Sequence, residues 1–194
     1  MNYLKLNSFK KGNDFIKFQE GKFEVVFSTA ENNKSFNRNT EEGIRELEAL
    51  IDKFHGENVE YLKQIHSNKV YTYRKGSNEF KDNEGDALIT NEKKVIIGVF
   101  TADCVPVILV DKENEAIAAI HSGWKGTFSS IVTETILRMK EEYNSKAENI
   151  VAYIGPHIRQ CCYEVSEDLK EQFLKKFDIE KDKLFDGRNL SLEE

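Results

Sequence analysis

Residues 95–126 read VIIGVFTADCVPVILVDKENEAIAAIHSGWKG, and their pattern decides the fold. Three apolar runs, Val95–Phe100, Val105–Val110 and Ala116–Ile120, stand close together with short polar breaks between them. Each is strand-sized and almost free of polar residues, so each reads as a strand covered on both faces rather than one alternating between core and water. Outward from this block, Phe23–Phe27 and Ile150–Ile154 have the same character. Glu60–His66 and Val70–Tyr73, joined at Ser67–Asn68, are expected to form a hairpin.

Helices are expected in three places. Asn39 or Thr40 caps a segment that places Ile44, Leu47, Leu50, Ile51 and Phe54 on one face, with Glu41 and Glu42 in the first turn. Thr127–Tyr143 forms a second helix, and Ser166 caps a third with Leu169, Phe173 and Phe177 four residues apart. Strands outnumber helices and do not alternate strictly with them. The expected fold is therefore α+β, a single domain over residues 1–194 built as a mixed β-sheet sandwich covered by helices. After the third helix no apolar strand follows, so the C-terminus reads as short and the sheet as incomplete.

Composition narrows the function classes. The 194 residues carry a net charge of −6, with Lys and Arg scattered among Asp and Glu. No global positive field draws the chain to nucleic acid or anionic lipid. The opening residues lack the apolar run of a secretory signal, and no stretch has the length of a membrane span. Three cysteines, two of them adjacent, make a poor disulfide framework. The expected setting is the cytoplasm, with reduced thiols.

The chemistry-bearing residues sit at the ends of the apolar runs. His66 lies where a strand-like run meets a polar turn. Cys104 follows the first run of the central block, beside Asp103. His121 ends the third run and enters Ser122–Gly126, whose Gly123 and Gly126 permit a tight turn and whose Lys125 adds charge. A strand, turn and helix with exposed amides and a lysine suit an anion such as phosphate. Two imidazoles and a thiolate are the donor set of a catalytic zinc with an open fourth position. The same atoms also suit a metal-free nucleophile–base pair of Cys104 and His121. His157 is a turn histidine or a substrate contact. Asp86, at a strand start, can orient a ligand histidine. Cys161 and Cys162, if they continue a strand, point to opposite sides.

Taken in order, Gln64–His66, Gly85–Ala87, Thr101–Pro106, His121–Gly126, Ile154–His157 and Cys161–Val165 resemble one family. It is the family long labelled multicopper polyphenol oxidase or laccase domain, and now regarded as purine nucleoside phosphorylases. The resemblance implies one zinc on His66, Cys104 and His121. It implies phosphorolysis of adenosine, inosine and methylthioadenosine, with adenosine deamination as a second activity; purine nucleosides and inorganic phosphate would be its partners. Cys104, Asp103 and Glu164 are the expected catalytic residues. Lys125, Gly123, Gly126, His157 and Arg38 are the expected substrate or phosphate contacts. The older label implies copper, against which the lack of a many-histidine constellation argues. The chain departs from the family pattern at Ala30, where Arg is usual and for which Arg38 is the proposed substitute. Lys125 also replaces an Arg, keeping charge without the bidentate fork. A zinc-stabilised binding protein without catalysis is the remaining alternative.

Overall fold

The computed structural model describes residues 10–12, 14–29, 31–77 and 80–192. In chain order its strands and helices begin with β1 (Lys10–Lys11), β2 (Phe15–Glu20), β3 (Phe23–Ser28), α1 (Glu41–Lys53), β4 (Asn58–Glu60) and β5 (Val70–Thr72). There follow β6 (Ala87–Thr90), β7 (Val95–Ile97), β8 (Val105–Asp111), β9 (Ala116–Ser122), α2 (Trp124–Phe128) and α3 (Ile131–Tyr143). The last are β10 (Ile150–Ile154), α4 (Glu167–Lys176), α5 (Lys181–Leu184), β11 (Phe185–Asp186) and β12 (Asn189–Leu190).

The central sheet has the strand order β10-β8-β9-β6-β5. β8 pairs antiparallel with both β9 and β10, whereas β5 and β6 run parallel, so the sheet is mixed. Both faces of β8 are covered, which explains its unbroken apolar run. Val105, Val107 and Leu109 face a core shared with Ile131 and Met139 of α3. Ile108 and Val110, on the opposite face, meet Val25 and Phe27 of the antiparallel sheet β1-β2-β3. Period-2 alternation thus separates the layers although every position is apolar. The result is the expected α+β sandwich, with mixed sheets and helical cover.

Local capping follows the sequence closely. Thr40 caps α1 by accepting from the Gly43 N–H at 3.1 Å, and Ser166 caps α4 through the Leu169 N–H at 3.3 Å. Ile44 nevertheless lies 40% exposed, and Leu47 carries the buried face of α1.

Four expectations are corrected. Glu60–His66 and Val70–Tyr73 do not form a hairpin: only Glu60 of the first segment is in a strand, β4, which pairs parallel with β7 in a separate two-stranded sheet, and β5 pairs parallel with β6. The intervening 61–69 segment crosses between sheets. Val95–Phe100 is a strand only over Val95–Ile97, partly rather than fully buried and outside the central sheet. The helix expected from Thr127 is two helices, since Ser130 adopts φ +60° and breaks the hydrogen-bond ladder between α2 and α3. The C-terminal segment also contains the hairpin β11–β12, which turns at Gly187 with φ +61°. Ala30 lies outside the described residues. No described helix is long and apolar enough to cross a membrane.

Candidate metal centre

Three loop-and-strand junctions meet at one point. His121, the last residue but one of β9, is 3% exposed. Cys104 stands immediately before β8, the neighbour of β9. His66 lies in the crossing segment before β5 and holds φ +60°, a left-handed conformation uncommon for a residue with a Cβ. The ligand atoms of His66, Cys104 and His121 all fall within 4.8 Å of one another. Among the described residues they form the one such group of three or more donors.

Asp86 holds this arrangement together. It is fully buried at the start of β6. Its Oδ1 is 2.8 Å from His121 Nδ1 and accepts the His66 N–H at 2.9 Å. Its Oδ2 accepts the Ser67 N–H at 2.6 Å and the Ser67 hydroxyl at 2.7 Å. One carboxylate therefore fixes the ring of one ligand and the strained turn that presents another. Burial would raise its pKa, but the hydrogen bonds from His121, Ser67 and His66 outweigh that and hold it at about 2.

The opposite balance acts on His121. Burial alone would lower its pKa, yet the bond to Asp86 and the nearness of Cys104 raise it to about 9. The surroundings thus favour positive charge at this point, a demand that a divalent cation also meets. With Nδ1 held by Asp86, His121 offers Nε2 as its ligand atom. His66 responds the other way: desolvation, then the charge on His121, lower its pKa, with Lys125 adding to the effect. A neutral imidazole is the form that binds a metal.

The donor set is compatible with zinc. Ligands about 2.0–2.3 Å from a tetrahedral zinc stand roughly 3.3–3.6 Å apart. His66 Nε2 and Cys104 Sγ are 3.8 Å apart and all three donor atoms lie within 4.8 Å of one another, so the group must contract to hold such an ion. Gly123 closes it from one side. A Cβ there would lie 2.8 Å from His66 Cδ2 and 2.9 Å from Cys104 Sγ, so a side chain cannot share that space. On the outer side, Gln64 clamps the backbone of Phe100 with two 2.7 Å hydrogen bonds, Nε2 to the carbonyl and Oε1 from the N–H. That double bond anchors the loop leading to Cys104.

The other expected site residues are distributed as follows. Asp103 is exposed next to Cys104, and its carbonyl accepts the Ile158 N–H at 2.9 Å. Lys125 is exposed on α2 with its ammonium 5.5 Å from the Trp124 ring. α2 begins at Trp124, so the expected glycine-rich loop is a single helical turn, and Gly126 is buried within it. A Cβ at Gly126 would lie 3.4 Å from the Ser67 carbonyl and from Ile131 Cγ2. His157 donates from Nδ1 to the Gly155 carbonyl at 2.8 Å. Arg38 donates to the Lys81 carbonyl at 2.6 Å and lies over the Tyr61 ring at 5.6 Å. Glu164 is paired with Arg188. Tyr163 was not singled out from sequence; burial, then the charges of Cys104 and Asp103, raise its pKa, which places its phenol near both. Its signal was its place in the Cys161–Val165 block.

Fold and centre together place a three-donor group able to hold a metal ion at the end of a mixed sheet sandwich. The chain belongs to the multi-copper polyphenol oxidoreductase laccase family, whose model matches residues 18–191. A purine nucleoside phosphorylase of Clostridium acetobutylicum is 47% identical over 173 residues, 89% of this chain and 70% of that protein. One from Aquifex aeolicus is 41% identical over 69% of this chain, and the match spans 62% of the Aquifex protein. Among solved structures, the Bacillus licheniformis hypothetical protein YfiH superposes with a TM-score of 0.82 at 21% identity, covering 96% of this chain and 80% of that one. That likeness shows the fold.

Proposed function

We propose that the chain is a zinc-dependent purine nucleoside phosphorylase acting on adenosine, inosine and methylthioadenosine with inorganic phosphate in the cytoplasm, with adenosine deamination as a side activity. Residues 1–194 would form one such domain. The observation that carries this reading is the convergence of His66, Cys104 and His121, with His66 exposed. The phosphorylase names of its relatives support the substrate class.

In phosphorolysis, a phosphate oxygen attacks the ribosyl carbon as the purine leaves. Departure is easier when the base is protonated or polarised. Zinc held by His66, Cys104 and His121 would supply Lewis-acid stabilisation of developing negative charge. Lys125, whose charge is felt at His66, would attract phosphate. Asp103 stands beside Cys104 and would exchange the proton with the leaving base. Glu164, bound to Arg188, would secure the turn behind them. Gly123 would let the backbone pack against His66 and Cys104, Gly126 would seat α2 behind it, and His157 and Arg38 would contribute outer substrate contacts.

Copper oxidase chemistry is poorly supported by these residues. The chain has four histidines, and two already belong to the single donor cluster among the described residues. Cysteine hydrolysis has one observation in its favour, the chain of Asp86, His121 and Cys104. The two readings separate in one experiment on wild type and Cys104→Ala. Zinc content and inosine phosphorolysis should vanish together in the folded variant, and chelation should silence the wild type. Turnover that survives chelation but not iodoacetamide would favour the thiol instead. Zinc that raises thermal stability without any nucleoside turnover would favour a binding protein.

A further inference from the structure

Cys161 and Cys162 take no part in the chemistry above. They are exposed, and their Sγ atoms lie 3.2 Å apart. The expectation that neighbouring cysteines point to opposite sides holds for a strand, but Gln160–Cys162 is a turn of 3-10 helix. Neighbouring side chains there differ by about 120° around the axis rather than the roughly 180° of a strand, which lets the two thiols approach one another.

The turn is braced at both ends. The Cys162 N–H donates to the Arg159 carbonyl at 2.9 Å, and the Ile158 N–H donates to Asp103. On the far side, the Leu190 N–H donates to the Tyr163 carbonyl at 2.9 Å, tying the turn to β12. The backbone that carries both sulfurs is thus fixed before any ligand arrives, which lowers the entropic cost of bridging them.

A disulfide is a poor use of this pair. Adjacent Cα atoms across a trans peptide are about 3.8 Å apart, whereas disulfides span roughly 4.4–6.8 Å. One thiophilic centre bonded to both sulfurs escapes that limit. With sulfur bonds of about 2.3 Å, as in thiolate–zinc sites, sulfurs 3.2 Å apart subtend about 90° at the shared centre. This is narrower than a tetrahedral metal prefers and suits a pyramidal trivalent centre.

We propose that the Cys161–Cys162 pair is a chelating site for trivalent arsenicals. In the reaction, two As–O bonds of an organic arsenous acid are replaced by two As–S bonds. Each thiol proton leaves with a hydroxide as water, and no atom changes oxidation state. The inference does not rest on the phosphorylase reading.

The test uses the full reduced chain, a chelator to free Cys104, and phenylarsine oxide as the probe. Intact mass should show one arsenical per chain that survives excess monothiol and is removed by a small dithiol. Reactive thiols should fall from three to one, and peptide mapping should find iodoacetamide on Cys104 alone. Apparent affinity should drop at least 100-fold in Cys161→Ser and in Cys162→Ser, and stay unchanged in Cys104→Ala. No stable adduct on the wild type, labelling of Cys161 or Cys162 despite the arsenical, or an adduct lost in Cys104→Ala would each overturn the proposal. The mapping result decides the matter even if a serine variant fails to fold.

Discussion

Asp86 Oδ1 lies 2.8 Å from Nδ1 of His121, and neither side chain reaches solvent to any extent, at 0% and 4% exposure. Through the same carboxylate the backbone of His66 and Ser67 is held in its turn. Two candidate metal ligands that are far apart in the chain therefore depend on one buried group.

Replacing that group should weaken the metal rather than the fold's outline. Asp86→Asn keeps the size and one acceptor oxygen but loses the charge that orients His121. Outer partners of this kind contribute about 10–100-fold to metal affinity. Chelator competition should show a loss of that order for zinc. Unchanged affinity would mean that Asp86 serves only the turn.

Gly123→Ala tests the crowding directly. Its new Cβ would meet His66 Cδ2 at 2.8 Å and Cys104 Sγ at 2.9 Å. Either ligand must shift by a few tenths of an ångström or more. Zinc affinity should fall about tenfold or more while the far-UV circular dichroism spectrum keeps its shape.

Gln64→Ala would remove both bonds to Phe100, four residues before Cys104. Amide exchange at Phe100 and through residues 98–104 should accelerate markedly, because the N–H loses its acceptor. Exchange in β8 should remain slow, since its ladder to β9 and β10 is untouched.

How far the sequence foretells this centre depends on the kind of information involved. The runs in β8 and β9 were readable because covering both faces leaves one signature, an unbroken apolar strand. The caps at Thr40 and Ser166 were readable because they are local hydrogen bonds. The convergence of His66 with Cys104 and His121 was not available from spacing. It arises from parallel pairing of β5 with β6, which delivers residues 66 and 86 to the same end of the sheet. The same non-local pairing defeated the expected hairpin of Glu60–His66 with Val70–Tyr73. The β11–β12 hairpin was overlooked although Asp186–Gly187 is a turn signal, because two-residue strands carry no periodicity. The break at Ser130 lies in a left-handed serine that propensity does not announce.

Acid should loosen the junction between the two sheets. Glu20 of β2 accepts the phenol of Tyr153 of β10 and pairs with Lys112 at 2.6 Å. The bonds from Lys112 and then Tyr153 hold its carboxyl below its ordinary value. A group depressed in the folded state contributes stability above its unfolded pKa of about 4.3, and that contribution is lost as pH falls through the folded value. Denaturant unfolding should therefore separate wild type from Glu20→Gln at pH 7, and the gap should close below about pH 4. A gap independent of pH would show that the charge on Glu20 is not what matters.

The central claim is that this centre performs phosphorolysis. Zinc-loaded protein should be incubated with adenosine over a range of phosphate concentrations, and the products separated by chromatography. The account predicts adenine and ribose 1-phosphate in equal amounts, rising with phosphate, and neither from the folded Cys104→Ala variant. Adenosine left intact at every phosphate concentration by zinc-loaded, folded protein, with inosine likewise untouched, would contradict it.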